Sequence, residues 1–128
     1  MQMSPEIIAR TVKEYFAALR AMDQQAWVNT FAEDAVSHDP VGAPPINGHQ
    51  KLGEFFQTIT AAFKEVGLTE DHVFIAGNNA AVKWTGRGTS KQGRAVHFEG
   101  IDVLTVNEAG KIETLYAYWN PAEMVAQL

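Results

Sequence analysis

The 128-residue sequence contains no cysteine. That excludes a disulfide scaffold, a cysteine nucleophile and any thiolate metal site. Basic charge is also scarce: 10 Lys and Arg stand against 15 Asp and Glu, and no two basic residues are adjacent. A chain with net charge −5 and no basic cluster is a poor binder of nucleic-acid backbones, so a nucleic-acid partner is not expected. No apolar run approaches the roughly 20 residues that cross a bilayer, and no membrane partner is expected. The first residues, Met1 to Glu6, lack the basic start and apolar stretch of a signal peptide, which points to a cytoplasmic protein. Histidines 38, 49, 72 and 97 show no metal-ligand spacing, and each reads more readily as a surface or turn residue. There is no glycine-rich phosphate loop, and Ser4, Ser37 and Ser90 lack a nucleophile-elbow context. Neither metal nor cofactor is expected.

What is present suits one compact domain, residues 1–128. Ser4-Pro5 marks a helix start, with Ser as N-cap and Pro at the first helical position. Ile8, Val12, Tyr15, Leu19 and Met22 then form the apolar stripe of a first helix. Asp23 caps a second short helix, from Gln24 to about Phe31. An extended piece, Ala35 to Asp39, leads into a stiff loop holding Pro40, Gly42, Pro44, Pro45 and Gly48. A third helix is predicted from about His49 to Lys64, with Gly67 as its stop. Thr69–Ala76, Ala80–Ser90, Ala95–Val106 and Lys111–Asn120 read as four strands joined by hairpin turns, and Pro121–Leu128 reads as a short tail. Helices first and an antiparallel meander afterwards is the α+β pattern.

Three polar residues stand out. Tyr15 sits inside an apolar stripe, where its hydroxyl needs a partner, if only a nearby carbonyl. Asp102 shares a strand face with Val96, Phe98, Gly100, Leu104 and Val106. A carboxyl there is costly if ionised, and desolvation favours its neutral form. The alternatives are an Asp at a strand end, or one turned outward by a bulge near Gly100. Asp39 precedes Pro40 and is by itself an ordinary turn starter. With 13 aromatic residues available, the remaining chemistry is acid–base work by carboxyls and a phenol in an apolar pocket.

Residues 36–48, VSHDPVGAPPING, resemble the loop that carries the catalytic base in bacterial ketosteroid isomerases. The segments GIDV (100–103), GKIET (110–114) and AYW (117–119) are similar to that family's last two strands, KEYF (13–16) to the site of its oxyanion tyrosine, and FAEDA (31–35) to its helix-two exit. The resemblance spans essentially the whole chain and lies within the nuclear transport factor 2-like, or SnoaL-like, superfamily. It implies a cone of about three N-terminal helices on a strongly curved, mostly antiparallel sheet enclosing an apolar pocket. It further implies Asp39 as general base, Tyr15 as oxyanion donor, a protonated Asp102 as second donor, and Trp119 as the residue that steadies the base. Such an enzyme would isomerise a 3-oxo-Δ5-steroid or another small apolar ketone, with a homodimer expected. Phe56 and Phe31 depart from the family by standing where relatives carry tyrosines, and His38 stands where close matches have an acid. Strand parity and the helix stripes put Phe56, Val82, Trp84, Leu104, Leu115 and Trp119 in the pocket wall. An exposed sheet face of Ile112, Tyr116 and Tyr118 beside Thr114 would suit a dimer contact. The rival readings are a polyketide cyclase or dehydratase-like enzyme on the same cone, and a non-catalytic module that binds a small ligand or a protein.

Overall fold

A computed structural model describes residues 4–128. Met1, Gln2 and Met3, part of the segment read above as lacking signal-peptide character, lie outside the described residues. The elements run α1 (Pro5–Arg20), α2 (Gln24–Val28), β1 (Phe31–His38), β2 (Ile46–Asn47), α3 (Gly48–Thr60), β3 (Phe63–Ala76), β4 (Asn79–Ser90), β5 (Ala95–Val106), β6 (Ile112–Trp119) and α4 (Pro121–Val125). The six strands form one sheet in the order β2-β1-β6-β5-β4-β3. Every pairing is antiparallel except β1 with β6. Register shifts in β1–β6, β3–β4 and β5–β6 mark bulges, which bend strands and raise local twist. Helix α1 lies against β3, and α3 against β1. The result is the expected α+β cone, with helices on one face of a mostly antiparallel sheet.

Helix α1 starts as predicted, with Pro5 in its first turn, although the Ser4 side chain makes no capping bond. It ends at Arg20, so Met22 is not part of the stripe. Met22 adopts φ +52°, its N–H donates to Leu19 O, and the Asp23 N–H reaches back to Ala18 O. This is a Schellman closure, in which a left-handed residue satisfies the last helical carbonyls. Asp23 then caps α2 by accepting from the Ala26 N–H at 3.0 Å.

Several boundaries differ from expectation, among them β3, which starts at Phe63 rather than Thr69, and β2, which lies in the expected loop. Helix α2 stops at Val28, and Phe31 opens β1, because the Ile112 N–H bonds to Thr30 O and draws the chain beside β6. Helix α3 stops at Thr60 rather than Lys64, and Phe63 pairs with Ser90. Gly67 is no helix stop but a strand residue paired with Arg87. A Cβ there would lie 2.9 Å from Arg20 Cγ, so glycine lets the end of α1 cross β3 closely. Arg20 seals that crossing by donating to Leu68 O and Glu70 Oε1. The C-terminal segment is not a loose tail: α4 buries Met124, and Gln127 bonds both the N–H and the carbonyl of His97.

The outward face expected on β6 also needs one correction. Tyr116 and Tyr118 are exposed, but Ile112 is fully buried. The register shift between Thr105 and Val106 falls opposite Glu113 and reverses the parity of Ile112.

Candidate active site

Tyr15, Asp39 and Asp102 come from α1, the loop after β1 and the inner face of β5, and all three border one cavity. The cavity opens to solvent, and its wall is almost wholly apolar.

Asp102 is 2% exposed. Strand β5 alternates strictly between buried and outward residues, and its register runs unbroken through Gly100, Ile101 and Asp102 against both neighbours. There is no bulge to turn the side chain outward and no strand end nearby. The Trp84 Nε1–H donates to Asp102 Oδ1 at 2.9 Å, while Oδ2 is buried with no partner. Burial pushes the carboxyl pKa well above its usual range, and the charge of Asp39 adds to the shift. The Trp84 bond opposes it more weakly.

Asp39 sits one residue beyond β1 and is half-buried. Its loop is tied to the sheet by the Val41 N–H, which donates to Ala117 O at 2.8 Å, and closed by the Ala43 N–H on Pro40 O. The Trp119 Nε1–H donates to Asp39 Oδ1 at 2.6 Å. Desolvation pushes the Asp39 pKa up to about 6, against the pull of that bond. A carboxylate so poised is ionised at neutral pH yet basic enough to take a proton.

Tyr15 is 2% exposed and packs among Phe16, Trp27 and Phe31. No main-chain carbonyl accepts its hydroxyl in the described hydrogen bonds. Burial raises its pKa well above 10, with Asp102 and Asp39 adding to the effect and the Trp27 indole opposing it. The phenol therefore stays protonated and keeps a proton to donate. The buried Trp27 Nε1–H lies near this hydroxyl but outside full hydrogen-bond geometry.

Phe56, Trp84 and Trp119 border the cavity. Val82, Leu104 and Leu115 do not: all three are fully buried in the packed core. Strand parity identifies the face of a sheet but not the point along it where packing stops and the cavity begins. The sequence reading missed Leu19, Trp27, Phe55, Ile59, Thr60, Phe98 and the segment Val66-Gly67-Leu68. The stripe of α3 does carry Ile59, and the β5 alternation carries Phe98. The β3 segment was hidden by its misassignment to a helix end. Glycine also shapes the floor: a Cβ at Gly100 would lie 2.5 Å from Trp84 Cζ2 and 2.8 Å from Trp119 Cβ. Only a bare backbone there admits both indoles.

The histidines stand apart from this chemistry. His49 Nε2 bonds to Phe31 O at 2.8 Å, and His38 stacks on Tyr116 on the outer sheet face, away from Asp39. No group of three or more His, Cys, Asp or Glu among the described residues could hold a metal ion, and no described helix is long and apolar enough to cross a membrane.

Comparisons with known proteins agree with this architecture. The chain is 32% identical over 124 residues to a steroid Delta-isomerase of Nocardioides simplex, an alignment that covers 96% of this chain and 97% of that protein. Among solved structures it is similar to an epoxide hydrolase/cyclase-like enzyme of pyran ring formation in polyether salinomycin, with TM-score 0.82 and 27% identity over 92% of this chain and 94% of the other. It shares its fold with a Mycobacterium tuberculosis protein in complex with estradiol-17beta-hemisuccinate, at TM-score 0.80, 24% identity and coverage of 91% and 96%. A computationally designed 17-OHP binder has the same fold, at TM-score 0.79, 24% identity and coverage of 91% and 95%. The model of the SnoaL-like domain matches residues 12–114, and the chain belongs to that family, within the nuclear transport factor 2-like superfamily.

Proposed function

We propose that the chain, as one ketosteroid isomerase-like domain, is a steroid Δ-isomerase-type enzyme. It would move a carbon–carbon double bond into conjugation in a 3-oxo-Δ5-steroid or a similar enolisable ketone. The observation that carries this reading is Asp102: a carboxyl with an unpartnered buried oxygen, bordering the same apolar cavity as Asp39 and Tyr15. A core has no use for such a group, whereas an oxyanion site does.

In the proposed reaction the Asp39 carboxylate removes a proton from the carbon between the carbonyl and the double bond. The C–H electron pair moves toward the carbonyl and leaves a dienolate whose charge rests on oxygen. That oxygen accepts hydrogen bonds from the Tyr15 hydroxyl and the neutral Asp102 carboxyl. Both donors meet charge that grows in the transition state, which is where binding accelerates a reaction. Asp39 then returns its proton to the carbon at the far end of the old double bond, and the carbonyl re-forms in conjugation. Substrate and product are isomers, so the step balances without an oxidant or reductant. The apolar wall strengthens each hydrogen bond by excluding water. The similarity to the Nocardioides simplex isomerase supports this substrate class.

The test is to add a 3-oxo-Δ5-steroid and follow conjugated-enone absorbance. A rise that Asp39→Asn abolishes supports the reading; no rise with active-site groups intact removes it. A second reading, a cyclase-like enzyme using the same carboxylates, is favoured by the likeness to the salinomycin pathway enzyme. It predicts ring closure of a polyketide-type substrate and no movement of a steroid double bond. We further propose that the outer sheet face, where Ile101, Tyr116, Tyr118 and Phe74 are exposed, pairs with a second copy of the chain. Light scattering that returns a mass of 14.1 kDa rather than twice that would remove the dimer.

A further inference from the structure

We infer that Trp84 is a positioning residue for Asp102: its indole N–H holds Oδ1 and thereby assigns the acid proton to Oδ2. The inference rests on the reading of Asp102 as a neutral donor. A protonated carboxyl has two unlike oxygens. The carbonyl oxygen is the better acceptor, and the hydroxyl oxygen is the donor. The Trp84 N–H at 2.9 Å makes Oδ1 the acceptor, and Oδ2, which has no protein partner, is left to carry the proton. A buried O–H without a partner is costly, so it is poised for an acceptor that arrives with the substrate.

The clamp is rigid because Trp84 cannot turn. It faces Gly100 across the β4–β5 ladder, one diagonal step from Asp102, whose direct partner is Val82. Its ring meets Phe98 edge-on at 5.8 Å and Trp119 at 6.2 Å. Gly100 lies close against the six-membered ring, where a Cβ would come within 2.5 Å of Cζ2. Among the described residues no cation pairs with the carboxyl: Lys83, the neighbouring strand residue, points outward to Asp71 and Glu99. The titratable groups that act on Asp102 or respond to it are Asp39 and Tyr15. Trp84 thus does for the acid what Trp119 does for the base, since each indole occupies one oxygen and leaves the other for the reaction.

The test reads the carboxyl itself, in the full chain without steroid. Infrared spectroscopy at neutral pH should show a carboxylic-acid C=O stretch that disappears in Asp102→Asn. In Trp84→Phe, which keeps the ring and removes the N–H, that band should move to higher wavenumber, because its oxygen has lost a donor. A band that stays in place overturns the positioning role, as does the absence of any acid band belonging to Asp102. With a 3-oxo-Δ5-steroid, Trp84→Phe should lower kcat about tenfold with KM nearly unchanged, the size expected for one buried hydrogen bond. In an Asp102→Ala background the same substitution should cost nothing further, whereas an equal additional loss overturns the inference. If Trp84→Phe does not fold, the 15N-labelled Trp84 indole resonance of the parent protein decides. It should move in Asp102→Leu, and an unmoved resonance overturns the bond. A parent protein that leaves the steroid unchanged defeats the isomerase reading alone, because the infrared band still decides the role of Trp84.

Discussion

Two carboxyls border one cavity and each accepts one indole N–H, and yet the fold shifts them to different degrees. Asp39 stands in a loop, half-buried, and its pKa rises only to about 6. Asp102 lies within β5 on the inner face, 2% exposed, and its pKa goes well above the carboxylate range. The difference is one of depth and of order. Desolvation acts on both, but Asp102 also feels the charge of Asp39, whereas Asp39 titrates beside an Asp102 that is still neutral. Two like groups pushed apart in this way leave one ionised and one neutral at the same pH. Ketosteroid isomerase is a standard illustration of that division.

The sharpest way to break the comparison is Asp39→Asn. It should lower isomerisation by about 1,000- to 10,000-fold, at the upper end of what general base catalysis supplies, while estradiol, a phenolic steroid, still binds. Near-normal turnover would remove Asp39 as the base. Tyr15→Phe and Asp102→Leu come next, each expected to cost about 100- to 1,000-fold in kcat. A loss confined to KM would mean that these groups bind the ground state only.

The pH dependence separates the two carboxyls. Below about pH 6, kcat/KM should fall about tenfold per pH unit as Asp39 becomes protonated. A limb centred near the ordinary 3.8 would show that Asp39 is not desolvated. The same shift bears on stability. A raised pKa means that the folded state binds more protons than the unfolded chain between 3.8 and about 6, so stability declines as pH rises through that window. Asp39→Asn, inactive, should therefore melt a few degrees above the parent at pH 7.5, with the difference gone below pH 4. An equal gain at both pH values would point to packing instead. The smallest effect expected is that of Trp119→Phe. Its N–H bond holds the Asp39 pKa down, so its loss should move the acid limb upward by less than about one unit and change the rate at pH 7 only a few-fold. An unmoved limb would show that this bond does not tune the base.

Much of the fold was legible where one period dominated. The alternation of Ala95–Val106 placed β5 to the residue, and it exposed Asp102 as the polar group on an apolar face. Tyr15 was legible as a polar member of a helical stripe. Asp39 was not: an Asp-Pro turn has no distinguishing pattern, and only the family resemblance singled it out. Phe31 and Phe63 were misread because a bulky aromatic after a helix fits the next helical turn or a strand equally well. Their long-range partners, Ile112 and Ser90, made the choice. Ile112 was misread because parity counted along one strand does not survive a bulge in the pairing.

The sequence by itself narrowed the chemistry to be expected of this protein. Without cysteine, and with a carboxyl and a phenol on apolar stripes, it pointed to acid–base work as the chemistry to expect. It also determined which faces are apolar, because periodicity follows from the geometry of one helix or one strand. Tertiary structure alone decided where the apolar face stops being core, why Val82, Leu104 and Leu115 are packed while Trp84 and Trp119 line space, and which oxygen of each carboxyl is held. Those outcomes depend on groups far apart in the chain meeting at one point: Gly100 against Trp84 and Trp119, and Trp84 diagonal to Asp102. Desolvation, which separates the two carboxyls, is a property of that enclosure and not of any residue in it.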